Sequence, residues 1–120
     1  METKQATAIF LALSADLRLD LFRLLVKHAP DGLVAGEIAK YLKVSNTNLS
    51  FHLKALLHAG LITVEKEGRF LRYRANIPLM LETIAYLTAE CCSGRPELCR
   101  DFRAASAVSA AVLPVCDSKK

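Results

Sequence analysis

Apolar residues recur at three- and four-residue intervals along the first half of this chain, and between residues 61 and 75 the interval shortens to two. Spacing of the first kind puts side chains on one face of a helix, and strict alternation puts them on one face of a strand. The pattern predicts helices first and a strand pair afterwards. Ala6, Ile9, Phe10 and Leu13 define a helix from Thr3 to Leu13, and Ser14 is placed to cap a second. Leu17, Leu21, Leu24, Leu25 and His28 carry the second helix to about His28, where Pro30 and Gly32 break the pattern. His28 is read as packing or as charge compensation at the helix end, not as a ligand.

A short helix from about Ala35 to Leu42 follows, with Ile38, Ala39 and Leu42 inward and no recognisable cap at Val34. Lys43-Val44-Ser45 forms a turn, and the next helix begins near Asn46 and ends at Gly60, a natural left-handed C-terminal residue. Two short helices so closely joined predict a helix-turn-helix. In the second of them Leu49, Leu53, Leu56 and Leu57 mark the buried stripe, so Thr47, Asn48, Phe51, Lys54 and Ala55 point away from the core. Asn46, Ser50 and His52 flank that outer face. Short hydrogen-bonding side chains near the N-terminus with a cation further along suit a helix in the major groove. An ordinary solvated amphipathic helix carries similar residues.

From Leu61 to Ala75 the period is two. Ile62 and Val64 alternate with Thr63 and Glu65, Glu67-Gly68 supplies a turn, and Leu71, Tyr73 and Ala75 alternate with Arg72 and Arg74. The expected product is a β-hairpin with arginines on one face and Lys66 and Arg69 at its tip. Asn76 and Pro78 open a closing helix with Met80, Leu81, Ile84, Leu87, Thr88 and Cys91 as its stripe. That helix and the first one look surplus to one small core, which predicts a symmetric dimer; the competing view is that both complete a monomer. Ser93-Gly94-Arg95-Pro96 ends the closing helix. Ala104 to Ala111 fits a weak helix or a disordered tail. The fold class expected is mainly α with a small β-hairpin, a winged helix-turn-helix with a helical dimer interface. Residues 1–92 would form the DNA-binding and dimerisation domain, and residues 93–120 a C-terminal extension.

Charge sharpens this picture. Residues 43–76 hold six basic side chains (Lys43, Lys54, Lys66, Arg69, Arg72, Arg74) against two acidic ones (Glu65, Glu67), while the segments on either side are balanced, so the whole formal +4 falls in one block. A positive potential concentrated in one supersecondary unit attracts a phosphate backbone, although a solvated basic face has the same composition. With 120 residues, 52% of them hydrophobic, the chain is long enough for one domain with a modest core. No apolar run approaches membrane-spanning length and the first residues lack a secretory pattern, so a cytoplasmic protein is expected. Four cysteines in such a chain are candidates for free thiols, metal ligands or redox groups rather than structural disulfides.

Several motifs resemble one known family. The stretch Val44-Ser45-Asn46-Thr47-Asn48-Leu49-Ser50-Phe51-His52-Leu53-Lys54-Ala55-Leu56, with His58-Ala59-Gly60-Leu61-Ile62 after it, is similar to the recognition helix and wing junction of ArsR-family metalloid- and metal-responsive repressors. Glu67-Gly68-Arg69-Phe70-Leu71-Arg72-Tyr73-Arg74 resembles the family's wing, and Leu13-Ser14-Ala15-Asp16-Leu17-Arg18-Leu19 fits as well. The likeness covers about residues 5–90. It implies a homodimeric repressor that blocks an operator in double-stranded DNA and leaves when an inducer binds. Candidate base-edge residues are Ser45, Asn46, Thr47, Asn48, Ser50 and His52, and candidate phosphate contacts are Lys54, Lys66, Arg69, Arg72 and Arg74.

Two of the family's sensor patterns are missing. The short helix has no cysteine, and the closing helix has no histidine. What remains is Cys91-Cys92-x6-Cys99, similar to a cysteine pair plus a third cysteine in some family members. Trivalent arsenic or antimony accepts three sulfurs in a pyramid, whereas zinc normally takes four ligands, so As(III) or Sb(III) is the expected inducer and no obligatory cofactor is expected. A redox pair assisted by Arg95 and Arg100, a cadmium, lead or zinc site that includes Cys116, and inert buried thiols stay open beside it. An enzyme is the rival of another class, but no phosphate loop, Cys-x-x-Cys motif or nucleophile–base pair stands out, so none is expected.

Overall fold

The computed structural model describes residues 1–95 and 100–107. Its first compact unit, Met1–Thr83, runs α1 (Thr3–Ala12), α2 (Asp16–Lys27), β1 (Leu33–Val34), α3 (Ala35–Leu42), α4 (Asn46–His58), β2 (Ile62–Glu67), β3 (Phe70–Ala75) and the start of α5 (Ile77–Thr88). The strands form an antiparallel sheet in the order β1-β3-β2. This is a winged helix-turn-helix. The second unit, Ile84–Lys120, contains the end of α5, a 3-10 turn at Cys91–Gly94 and α6 (Arg100–Ala105). The division between the two units falls inside α5. Of the stretch Ala104 to Ala111, α6 includes the first two residues, and those from 108 onward lie outside the described residues.

At least one residue from nearly every element meets in a single core: Ile9 of α1, Leu21 and Leu25 of α2, Ile38 of α3, Leu49, Leu53 and Leu56 of α4, Ile62 of β2 and Tyr73 of β3. The stripe on α2 also includes Phe22, which is buried beside Leu21. In α1 the inward residues are Ala6, Ile9 and Ala12, and Phe10 is 44% exposed. Ser14 does not cap α2: the cap position is Ala15, and the Ser14 hydroxyl instead donates to the Leu11 carbonyl at 2.7 Å, closing α1. At α3 the Val34 amide is held by the Glu37 carboxylate at 3.1 Å, a cap supplied from inside the helix.

Strand β1 lacks a sequence signal, because two residues are too few to alternate. It exists because Gly32 has φ +74, a left-handed turn that lays Leu33 and Val34 against Tyr73 and Arg72. A Cβ at Gly32 would collide with the Tyr73 carbonyl, so this close approach also excludes other side chains.

Helix α5 is rotated from the expected stripe. Leu79 and Thr83 are its buried residues, one turn apart, while Leu81 is 45% exposed. Asn76 sets its start by accepting the Leu79 amide at 3.2 Å and donating from Nδ2 to the Gly60 carbonyl at 2.8 Å. The end of α4 and the start of α5 are thereby tied to one side chain. Among the described residues no helix is long and apolar enough to cross a membrane.

Candidate nucleic-acid interface

Helix α4 is built as the second helix of the helix-turn-helix. Lys43 closes α3 in the left-handed conformation (φ 56), a turn that lets Ser45 open α4 by accepting the Asn48 amide on its hydroxyl at 3.2 Å. Ser45 therefore holds the N-terminus of α4 in place. Leu49, Leu53 and Leu56 are almost wholly buried, which fixes the rotation of the helix about its axis. The opposite face is then forced outward. Asn46, Thr47, Asn48, Ser50 and Lys54 are exposed, and Phe51 is 68% exposed.

A shallow depression gathers Asn46, Thr47, Ser50, Phe51 and Lys54 on that face. His52 differs from its neighbours. It is half-buried, its Nδ1 is shielded from solvent without a hydrogen-bond partner, and its ring stands edge-on to Phe51 at 5.4 Å. Its ring is turned partly into the protein.

The wing separates the basic residues into two groups. Register places Thr63, Glu65, Glu67, Phe70, Arg72 and Arg74 on one face of the β2–β3 pair, and Ile62, Val64, Lys66, Leu71, Tyr73 and Ala75 on the other. Arg72 Nε donates to both carboxylate oxygens of Glu67 at 3.0 Å, and Arg74 Nη1 meets Glu65 at 2.6 Å. Both guanidinium groups also reach the loop before β1: Arg72 donates to the Gly32 carbonyl at 3.3 Å and Arg74 to the Pro30 carbonyl at 3.1 Å. The bond to Glu67 raises the Arg72 pKa further above its ordinary value.

Arg72 and Arg74, expected at phosphates, are thus also held by partners within the fold. Their face is not a row of arginines but a neutral ladder of two cations and two carboxylates, each paired within the fold. Removing that ladder from the six basic and two acidic residues of the 43–76 block leaves Lys43, Lys54, Lys66 and Arg69, the full +4. All four are exposed, and among the described residues none is in an ion pair. Lys43 sits in the turn, Lys54 on the outer face of α4 and Lys66 near the tip of the wing. Arg69 occupies the second position of a two-residue turn whose first, Gly68, has φ +63.

The cysteine set is less fully placed. Cys91 and Cys92 are consecutive in the 3-10 turn after α5, where Glu90, Ser93 and Gly94 all have positive φ. Cys99 and Cys116 lie outside the described residues. Among the described residues no three histidines, cysteines or carboxylates gather into a metal-holding group.

The arrangement is that of a winged helix-turn-helix protein with an open polar outer face on α4 and a cationic wing tip. A helix-turn-helix domain family matches residues 13–65. The chain is 29% identical over 55 residues to the transcriptional repressor SdpR of Bacillus subtilis (strain 168), a match covering 46% of this chain and 61% of that protein. The chain therefore spans less than two thirds of the curated relative's length. In fold it is similar to an ArsR-like transcriptional regulator from Rhodococcus sp. RHA1, with TM-score 0.66, 27% identity and 88% and 96% of the two chains covered. Reduced HlyU from Vibrio cholerae N16961 superposes with TM-score 0.58 and 26% identity over 72% of this chain and 92% of that one.

Proposed function

We propose that this chain is a DNA-binding transcriptional repressor of the ArsR type. It works as a homodimer on an inverted-repeat operator and lets go when trivalent arsenic, antimony or an organoarsenical binds Cys91, Cys92 and Cys99. The observation that carries the DNA reading is the exposed Thr47–Asn48–Phe51–Lys54 face of α4 together with three further unpaired cations, Lys43 in the turn before it and Lys66 and Arg69 at the wing tip. Thr47, Asn48 and Ser50 read base edges, with Asn46 beside them. Lys54, Lys66 and Arg69 hold phosphates, and Lys43 joins them from the turn. Ser45 acts by fixing the first turn of α4.

Pairing of two copies would set the two recognition helices roughly 34 Å apart, one turn of DNA. Phe10 on α1 and Leu81 on α5, exposed apolar residues that the core leaves over, are the contacts that such a dimer would bury. The inducer assignment rests on sulfur chemistry: two adjacent thiols and a third seven residues on from Cys92 suit a three-coordinate soft centre. Drawing three sulfurs around one atom after α5 would reshape the region next to the dimer contacts and disturb the spacing of the readers. Release needs only a coupling of about 1–3 kcal/mol, and the coupling is reciprocal, so bound operator weakens inducer affinity.

Gel shift with DNA upstream of the chain's own gene, against random duplex as competitor, tests the first half. Titration of the metal-free complex with arsenite, antimonite, phenylarsenite and zinc tests the second. Cys99→Ser should abolish release by arsenite, and retained release would sink the three-thiol site while leaving a two-thiol site for a methylated arsenical.

A further inference from the structure

A second concavity lies behind the recognition face. It is a groove of about 670 Å³ between α1 and the flank of α4, within the size range of small-molecule sites. Ala8 and Leu11 of α1 and Ala55 of α4 make apolar walls, and Phe51 borders it. Arg18, from the first turn of α2, and Lys54 and His58 from α4 bring nitrogen groups into the same groove, which among the described residues is lined by no carboxylate. Among the described residues no hydrogen bond or ion pair engages the side chain of Arg18, Lys54 or His58. Arg18 Nε is moreover cut off from solvent with no acceptor. A guanidinium that lacks an acceptor within the fold can take one from a molecule in the apolar groove that it lines.

We propose that this groove binds a small amphipathic carboxylate, its apolar body against Ala8, Leu11 and Ala55 and its carboxylate on Arg18 and Lys54. A bare phosphate would gain nothing from the alanine and leucine walls. A neutral hydrocarbon would leave the cations unmatched. A DNA backbone would favour protruding cations such as Arg69 over one as recessed as Arg18.

The site has a consequence for the outer face of α4. Phe51 and Lys54 line both this groove and the depression on the recognition face, so a bound carboxylate draws on residues that DNA also needs. Occupancy therefore opposes DNA binding. That consequence rests on the DNA reading proposed above; the ligand site itself does not.

The test is an NMR titration of the whole chain with decanoate below its micellar concentration, with decan-1-ol and inorganic phosphate as the two half-ligands. Decanoate is expected to shift amides of residues 8–12 and 51–59 and to bind at least about tenfold more tightly than either half-ligand. Arg18→Gln, and Ala8→Phe, which fills the groove at an exposed position without changing charge, should each weaken it by about tenfold or more. Equal binding of decanol, shifts confined elsewhere, or an unaltered Arg18→Gln protein would overturn the proposal. Duplex affinity measured with and without decanoate separates the two readings. If the groove titrates and the chain has no duplex affinity, the DNA reading falls and the site stands. Groove binding that leaves duplex affinity unchanged removes the competition alone. If Arg18→Gln loses duplex affinity while decanoate leaves the groove silent, the groove is a phosphate seat and the carboxylate site falls.

Discussion

Arg72 Nε contacts both carboxylate oxygens of Glu67 at 3.0 Å along the diagonal of the β2–β3 pair, and its Nη1 reaches the Gly32 carbonyl on the far side. One guanidinium therefore joins the wing to the loop before β1. A charge spent in this way is structural first. Arg72→Ala should lower the thermal midpoint more than Lys66→Ala or Arg69→Ala does, and melting curves of the three variants decide the order.

Phosphate binding separates from that role in its salt dependence. Removing Lys54, Lys66 or Arg69 should weaken binding to every duplex sequence and flatten the log–log salt slope by about 0.9 for each phosphate no longer neutralised. Fluorescence anisotropy across a salt series measures this. An unchanged slope in all three variants would remove the wing tip and Lys54 from the interface.

Base reading behaves differently. Asn48→Ala, at an exposed position on the first turn of α4, should cost about 1–3 kcal/mol of discrimination at one operator position and little affinity for random DNA. Ser45→Ala removes the acceptor for the Asn48 amide and should cost about 1 kcal/mol of stability, read by urea unfolding.

Gly32 is constrained twice, by φ +74 and by the carbonyl of Tyr73 where a Cβ would stand. Gly32→Ala should destabilise the fold by more than about 1 kcal/mol and loosen β1 from β3. Hydrogen exchange at Leu33 and Val34 reports the second effect, and native protection there would contradict it.

Burial raises the pKa of the Tyr73 phenol above its usual 10.0. The neutral phenol is thus favoured in the folded chain, and the sign follows: its contribution is fully present below the unfolded pKa and is lost as pH rises through the folded one. Stability measured in urea should decline above about pH 10, and Tyr73→Phe should flatten that decline.

How much of this was legible in the sequence differs element by element. The leucine spacing of α4 located the recognition helix and its outer face, because burying Leu49, Leu53 and Leu56 leaves one orientation for Thr47, Asn48 and Lys54. The alternation of residues 61–75 located the wing, since period two leaves few other structures. Strand β1, the inward turn of His52 and the buried face of α5 left no such trace, because each depends on what packs against it.

Charge shows the division most clearly. Composition alone established that the chain's +4 belongs to residues 43–76, since that is a count along the backbone. Only the tertiary structure decided which cations carry it, because whether an arginine is free depends on a diagonal carboxylate and on carbonyls some forty residues away in the chain. Side-chain periodicity records the presence of a core, but a partner brought near by folding is invisible until the strands have found their register.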